Sequence, residues 1–383
     1  MKRSTRRILT THTGSLPRPD DLLALIRARE EGKLADIESL YARARTATAE
    51  IVRAQTEAGV DVVNDGEQGK SDYSTYIKDR FTGFAGGTTM GRLPSREARA
   101  FPDFAALRGG IGPTFVTRPN CVGPIAWKDF AAVEREIADL KAAMAAHPAE
   151  DFFMTSVSPG QAARFLGNEY YPNHEAYIRA LGTVLHDEYT AIAKAGFVLQ
   201  VDCPDLGSGW NSQFPDLTLA QFKKMVELHL EVLDDATRDV PPEQLRLHLC
   251  WGNYNGPHTE DIPLREIIGP VLKSRATAIS FEGANPRHEH EWKLWKEVKL
   301  PPGKLLIPGV VDSTSNFVEH PEVVADRICR YASVVGRENV IAGTDCGFGT
   351  FAGRVDVFPS VVWAKLRAMA EGAAMATKTL WGK

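Results

Sequence analysis

Short apolar or alternating runs recur along the chain, and between them lie longer stretches whose apolar residues are three or four apart. The first pattern reads as β-strand and the second as amphipathic helix. Strands are expected at ILTTH (8–12), VDVVND (60–65), DFFMTSV (151–157), FVLQVD (197–202), LRLHLCW (245–251), AISFE (278–282), LLIPGVV (305–311) and VIAGTD (340–345). Helices are expected over 40–58, 175–195, 218–237, 321–335 and 360–379, with Val226, Leu230 and Leu233 showing the spacing. Several helices enter the next strand through glycine, as in TEAGVDVV and AKAGFVLQ. Glycine ends a helix there by turning left-handed without a Cβ clash.

Eight strand-then-helix units predict an α/β fold, a closed (β/α)8 TIM barrel, with residues 1–383 forming one catalytic barrel. An open doubly wound sheet is the alternative, but it needs fewer strands and an early GxGxxG, which is absent. The rhythm breaks after the second strand. Residues 66–150 are too many for one unit and predict an insertion carrying extra helices or a hairpin over one barrel end. A lid is the preferred reading of it, and an arm that makes a homodimer is the other.

Composition narrows the function. Apolar residues make up 43% and charged residues 25%, the formal charge is -4, and no basic cluster is interleaved with aromatics. Nucleic acid is therefore not expected as a partner. The basic start MKRSTRRILTTH lacks the apolar segment of a secretory signal, and no window reads as a membrane span. The five cysteines at 121, 203, 250, 329 and 346 are odd in number and widely spaced, which points to free thiols and a cytoplasmic protein.

Chemistry gathers where barrel strands end. The predicted strands deliver His12, Asp65 with Glu67, Asp202 with Cys203, His248 with Cys250, Glu282, Asp312, and Asp345 with Cys346 at those ends. In LRLHLCWGNYN the alternation points His248 and Cys250 to one side. Cys346, in GTDCGFG, can add a second thiolate and Glu282 an oxygen, completing a tetrahedral Zn2+ shell. Such a shell carries net negative charge. It suits zinc poorly to activating water and well to holding a substrate thiol as thiolate, the nucleophile that alkyl transfer to sulfur requires. A Cys–His nucleophilic dyad is the competing use of the pair, but no third orienting group is evident. Cys329 and Cys121 read as packing, and HEHEW (288–292) as a charged, solvent-facing helix start.

Together, HLCWGN, ISFEG, GTDCGFG, THTGSLPR, VVNDGEQGK and LQVDCPD resemble the catalytic barrel of the cobalamin-independent methionine synthase family, to which the epoxyalkane:coenzyme M transferases are related. The likeness runs over nearly the whole chain. It implies His248, Cys250, Glu282 and Cys346 as zinc ligands. It also implies a homocysteine pocket in which Ser15 meets a carboxylate while Glu67 and Asp202 receive an ammonium. The long synthases carry a second, N-terminal barrel that helps bind folate and is not among these 383 residues. The alkyl donor is therefore open between a methylfolate and a corrinoid or other donor protein, with Trp210 and Trp251 as candidates to stack on a pterin. Cys203 stands where the synthases have glutamate.

The expected activity is zinc-dependent transfer of a methyl or other alkyl group to a small-molecule thiol, most simply homocysteine. Asp65, Asp312 and His320 are candidates to protonate the leaving atom. One alternative adds a thiol to an epoxide and would need Arg18, Lys70 and Arg80 for a sulfonate. Another is a barrel that binds zinc or thiols without catalysis.

Overall fold

The computed structural model describes residues 1–86, 93–108 and 115–382. Eight parallel strands alternate with helices. They are β1 (Leu9–Thr10), β2 (Val62–Val63), β3 (Asp151–Val157), β4 (Val198–Asp202), β5 (Leu245–His248), β6 (Ala278–Phe281), β7 (Leu305–Val311) and β8 (Ile341–Thr344). Each pairs with its neighbour from β2 through β3 and on to β8, β8 pairs β1, and a parallel bridge from Thr11 to Val62 closes the ring. This is the predicted (β/α)8 barrel.

The first two strands are shorter than their sequence pattern suggested because side chains replace ladder bonds. Thr10 N and Oγ1 both donate to Asp61 Oδ2, and Thr11 Oγ1 donates to the Val62 carbonyl at 3.0 Å. The helices are α1 (Asp20–Glu30), α2 (Ile37–Glu57), α3 (Ala131–Ala146), α4 (Pro159–Phe165), α5 (His174–Lys194), α6 (Leu219–Ala236), α7 (Leu264–Lys273), α8 (Pro321–Val335) and α9 (Pro359–Trp381). Their starts follow local chemistry. Asn173 caps α5, and Thr218 with Gln221 forms a reciprocal capping box on α6. The apolar stripe of α6, including Phe222, Val226, Leu230 and Leu233, is buried in the main core between strands and helices. Among the described residues no helix is long and apolar enough to cross a membrane.

The insertion after β2 is observed. It holds short helices Ile77–Arg80, Arg96–Ala100 and Pro102–Arg108, and an antiparallel pair, Phe84–Ala85 with Asn120–Cys121. Residues 87–92 and 109–114 of the expected insertion lie outside the described residues. Glu97 ties this segment to the loop after β5, accepting from Tyr254 Oη at 2.7 Å and from the His258 backbone N–H at 2.7 Å.

Inside the barrel a polar column replaces part of the usual aliphatic filling. Arg246 on β5 is 1% exposed, and its guanidinium lies 3.6 Å over the Phe153 ring. It donates to Gln200 Oε1 at 2.7 Å, to Thr11 Oγ1 at 3.1 Å and to the His12 carbonyl at 2.8 Å. With its oxygen so engaged, the Gln200 amide turns its nitrogen to Asp202 Oδ1 at 2.7 Å. The cation in the core thus orients a carboxylate at the strand ends. Replacing Arg246 with alanine removes three charge-assisted bonds and strands buried acceptors, so urea unfolding should show a loss of about 3 kcal/mol.

Candidate metal centre and substrate cavity

At the carboxyl ends of the strands, three donor atoms from His248, Cys250 and Cys346 all lie within 4.8 Å of one another, and all three residues are buried. β5 ends at His248, and Cys250 follows two residues later. Leu249 N still donates to Ser280 O at 2.8 Å, so β6 holds the turn in place. Cys346 follows β8 by two residues, and the Cys250 thiol donates to its sulfur at 3.7 Å. This S–H contact, and then burial, push the Cys250 thiol well above its ordinary value. Among neutral thiols a cation is needed to stabilise thiolate.

The imidazole also fits a metal. His248 Nδ1 lies 3.2 Å from Ser280 Oγ, whereas its buried Nε2 has no hydrogen-bond partner among the described residues. Serine oxygen as acceptor fixes the hydrogen on Nδ1 and leaves the Nε2 lone pair for coordination. Burial and the nearby Arg246 lower His248 to about 3, so the ring stays neutral, as a ligand must. Two sulfurs and one imidazole nitrogen form a zinc-type donor set with an open fourth position.

Glu282, expected as fourth ligand, is buried beside Cys250 but does not join the close trio. Its Oε1 accepts from the Trp251 backbone N–H at 2.7 Å, and its Oε2 accepts from Asn285 Nδ2 at 2.8 Å. Asp345 organises the same loop, accepting from the backbone N–H groups of Gly283, Ala284 and Asn285, each at 2.8 Å. Its strand-end position is therefore structural.

A cavity of about 720 Å3 opens over the trio. Its wall includes Ser15, Glu67, Asp202 and Trp251 together with His248, Cys250 and Cys346. Glu67 sits in left-handed backbone, φ 57°, a conformation that β-carbon residues rarely adopt without outside support. Asp65 gives that support: its Oδ1 accepts from Glu67 N at 3.1 Å. Glu67 Oε1 accepts from Thr155 Oγ1 at 2.9 Å, while Oε2 is buried and without a hydrogen-bond partner among the described residues. Burial, partly countered by Lys70 and Arg18, raises Glu67 to about 7. Burial and Glu67 raise Asp202 well above the usual carboxylate range. Two adjacent carboxyls in a cavity wall favour a cationic guest.

Other expected residues are placed differently. Asp65, Asp312 and His320, the candidate proton donors, do not line the cavity. Asp312 Oδ1 accepts from the backbone and side chain of Thr314, and His320 is exposed, its Nδ1 accepting from Glu322 N at the start of α8. Trp210 also stays off the cavity wall; Arg96 lies 3.6 Å over its ring. Trp251 has one face against His288, centroids 4.3 Å apart, and its indole donates to the Ile262 carbonyl at 2.6 Å. HEHEW is not solvent-facing at its start: His288 is 3% exposed and bonded to Asp261 and Glu291, which hold its ring protonated up to about 10 against the cost of burial. Cys203 packs in the main core. Sequence reading missed cavity residues Tyr73, Arg164 and His174, which lie on no strand end.

Comparison with known proteins agrees with this geometry. Residues 8–104 match the model of the cobalamin-independent synthase catalytic domain. The methionine synthase of Saccharolobus solfataricus is 24% identical over 366 residues, covering 95% of this chain and 93% of that one. That of Pyrococcus furiosus is 24% identical, covering 88% and 85%. A B12-independent methionine synthase from Shewanella sp. W3-18-1, solved in complex with selenomethionine, shares the fold with TM-score 0.74 at 21% identity, covering 98% of this chain and 100% of that one. The site and fold define a metal-binding (β/α)8 barrel of the thiol-ligand class. Over most of its length the chain is similar to cobalamin-independent methionine synthases.

Cys346→Ser should weaken zinc binding by about 100-fold or more, because a hard hydroxyl replaces a soft thiolate. Chelator competition measures it; Cys329→Ser, away from the trio, serves as control and should leave it unchanged.

Proposed function

We propose that the protein is a zinc-dependent transferase that moves a methyl or other alkyl group onto a small-molecule thiol, with an aminothiol such as homocysteine as acceptor. The observation that carries this reading is one cavity wall bearing both the His248, Cys250 and Cys346 donors and the Glu67 and Asp202 carboxyls. A zinc ion held by these donors would keep the acceptor sulfur as a nucleophilic thiolate at neutral pH. Glu282, bonded to the Trp251 and Asn285 N–H groups beside the trio, would complete the shell and would be the most readily displaced of the four.

The residues around the ion handle the rest of the acceptor. Glu67 offers an unpartnered buried oxygen to an ammonium, and Asp202, oriented by Gln200, offers a second carboxyl beside it. Ser15, on the same wall, would donate its hydroxyl to a carboxylate. The whole chain works as a single catalytic barrel in this reading. Its insertion, which contributes Ser95, Glu97 and Phe104 to the wall, acts as the lid that keeps water from the thiolate.

Epoxide opening by a sulfonated thiol finds less support. Arg18 donates to the Gly349 and Glu67 carbonyls, Lys70 to the Thr155 carbonyl, and Arg80 pairs with Glu136 and Glu188. None of the three is on the cavity wall. A barrel that only binds zinc or thiols is separated from the transferase by turnover.

Two outcomes are expected. Zinc-loaded protein should form S-methyl product from homocysteine with a methyl donor, and Glu67→Gln should raise the acceptor KM by about tenfold, one lost charge-assisted contact. Glu67 is protonated below about pH 7 and ionised above it. Aminothiol affinity should therefore rise with pH through 7, and the component centred there should vanish in Glu67→Gln. Calorimetric titration from pH 6 to pH 8 measures both.

A further inference from the structure

A second line of titratable side chains ends at the same cavity. His174, the first residue of α5, lines the wall. Its Nε2 lies 2.8 Å from His229 Nε2, and His229 Nδ1 lies 2.7 Å from Asp205 Oδ2. Ser158 Oγ donates to Asp205 Oδ1 at 2.7 Å. Asp205 and His229 are buried, whereas His174 is half-buried. Backbone close approach makes this possible: a Cβ on Gly160 would collide with both Asp205 Oδ2 and His229 Nδ1.

The bonding fixes a direction. Ionised Asp205 can only accept, so His229 Nδ1 carries a hydrogen. The two Nε2 atoms share one further hydrogen. When it sits on His229, that ring is an imidazolium and a neutral His174 carries its hydrogen on Nδ1; passing it across as His174 Nδ1 releases its own leaves His229 neutral and His174 in its other tautomer. Burial, then the neighbouring His229 ring, lowers His174 to about 4. His174 is therefore neutral at rest, and the relay needs its proton held on His229, whose Nδ1 lies 2.7 Å from Asp205 Oδ2.

We propose that Asp205, His229 and His174 form a proton relay to the leaving atom of the alkyl donor, with His174 as the catalytic proton donor and the other two as positioning residues. This rests on the alkyl-transfer reading above. As the S–C bond forms, the bond from that carbon to the donor's nitrogen or oxygen breaks, and its electron pair stays on the leaving atom. His174 Nδ1 gives that atom a proton, His174 Nε2 takes the proton of His229 Nε2, and His229 stays bonded, now neutral, to Asp205. Solvent returns the proton afterwards. The relay fills the role that Asp65, Asp312 and His320 are not placed to fill.

The test uses zinc-loaded protein, homocysteine and two methyl donors. Methyltetrahydrofolate leaves through a nitrogen that needs a proton; S-methylmethionine leaves as a neutral thioether that needs none. His174→Ala should slow transfer from methylfolate about 100-fold, the scale of general acid catalysis. Its effect on the sulfonium should be at least about tenfold smaller, and added imidazole should restore part of the methylfolate rate. Asp205→Asn should show the same donor selectivity, and zinc content and melting temperature of His174→Ala should match wild type. Equal losses on both donors, no imidazole rescue, or wild-type transfer from the sulfonium alone would overturn the relay. Wild-type protein inactive with both donors would instead overturn the alkyl-transfer reading, and the relay's role with it.

Discussion

A neutral imidazole nitrogen and two thiol sulfurs, buried together at the mouth of a barrel, are the constraint on which the rest of the site depends. Among the described residues His248 Nε2 has no hydrogen-bond partner, and the Cys250 thiol donates to another sulfur. Buried polar atoms left in that condition cost free energy unless something else engages them. A soft divalent cation answers for all three at once, and few other ligands do. The surroundings are arranged around that need: Ser280 sets the His248 tautomer, Gly252 N donates to Cys250 Sγ at 3.2 Å, and Glu282 waits beside the trio.

The barrel supplies the precision. Its ring brings together residues almost a hundred positions apart, Cys250 and Cys346, because each follows a parallel strand that ends on one face. The interior column from Arg246 through Gln200 to Asp202 connects barrel stability to the pose of a cavity carboxyl. Strain enters at Glu67, whose left-handed backbone is held by Asp65 and whose carbonyl accepts from Arg18 at 2.9 Å. A charged residue in a strained, buried position on a cavity wall is expensive to keep without a guest that uses it.

Much of this was legible in the sequence. Short apolar or alternating runs located all eight strands, and the alternation in LRLHLCW already put His248 and Cys250 on one side. The strand ends of β1 and β2 were harder, since Thr10, Thr11 and Asp61 substitute side-chain bonds for ladder bonds. HEHEW misled because periodicity cannot show that Asp261, 27 residues before His288, reaches its ring. The relay was invisible for the same reason. Asp205, His229 and His174 come from a short 3-10 helix, a mid-helix position and a helix start, and Gly160 leaves room where Asp205 meets His229. Residue type reveals ligand sets with strand-end positions; it does not reveal networks assembled by helix packing.

The most direct measurement is zinc K-edge X-ray absorption on the purified, zinc-loaded protein, before and after adding homocysteine. The account predicts two sulfur neighbours at about 2.3 Å with nitrogen or oxygen completing the shell, and a third sulfur once the thiol is present. A shell without sulfur, or one that the thiol leaves unchanged, would contradict it.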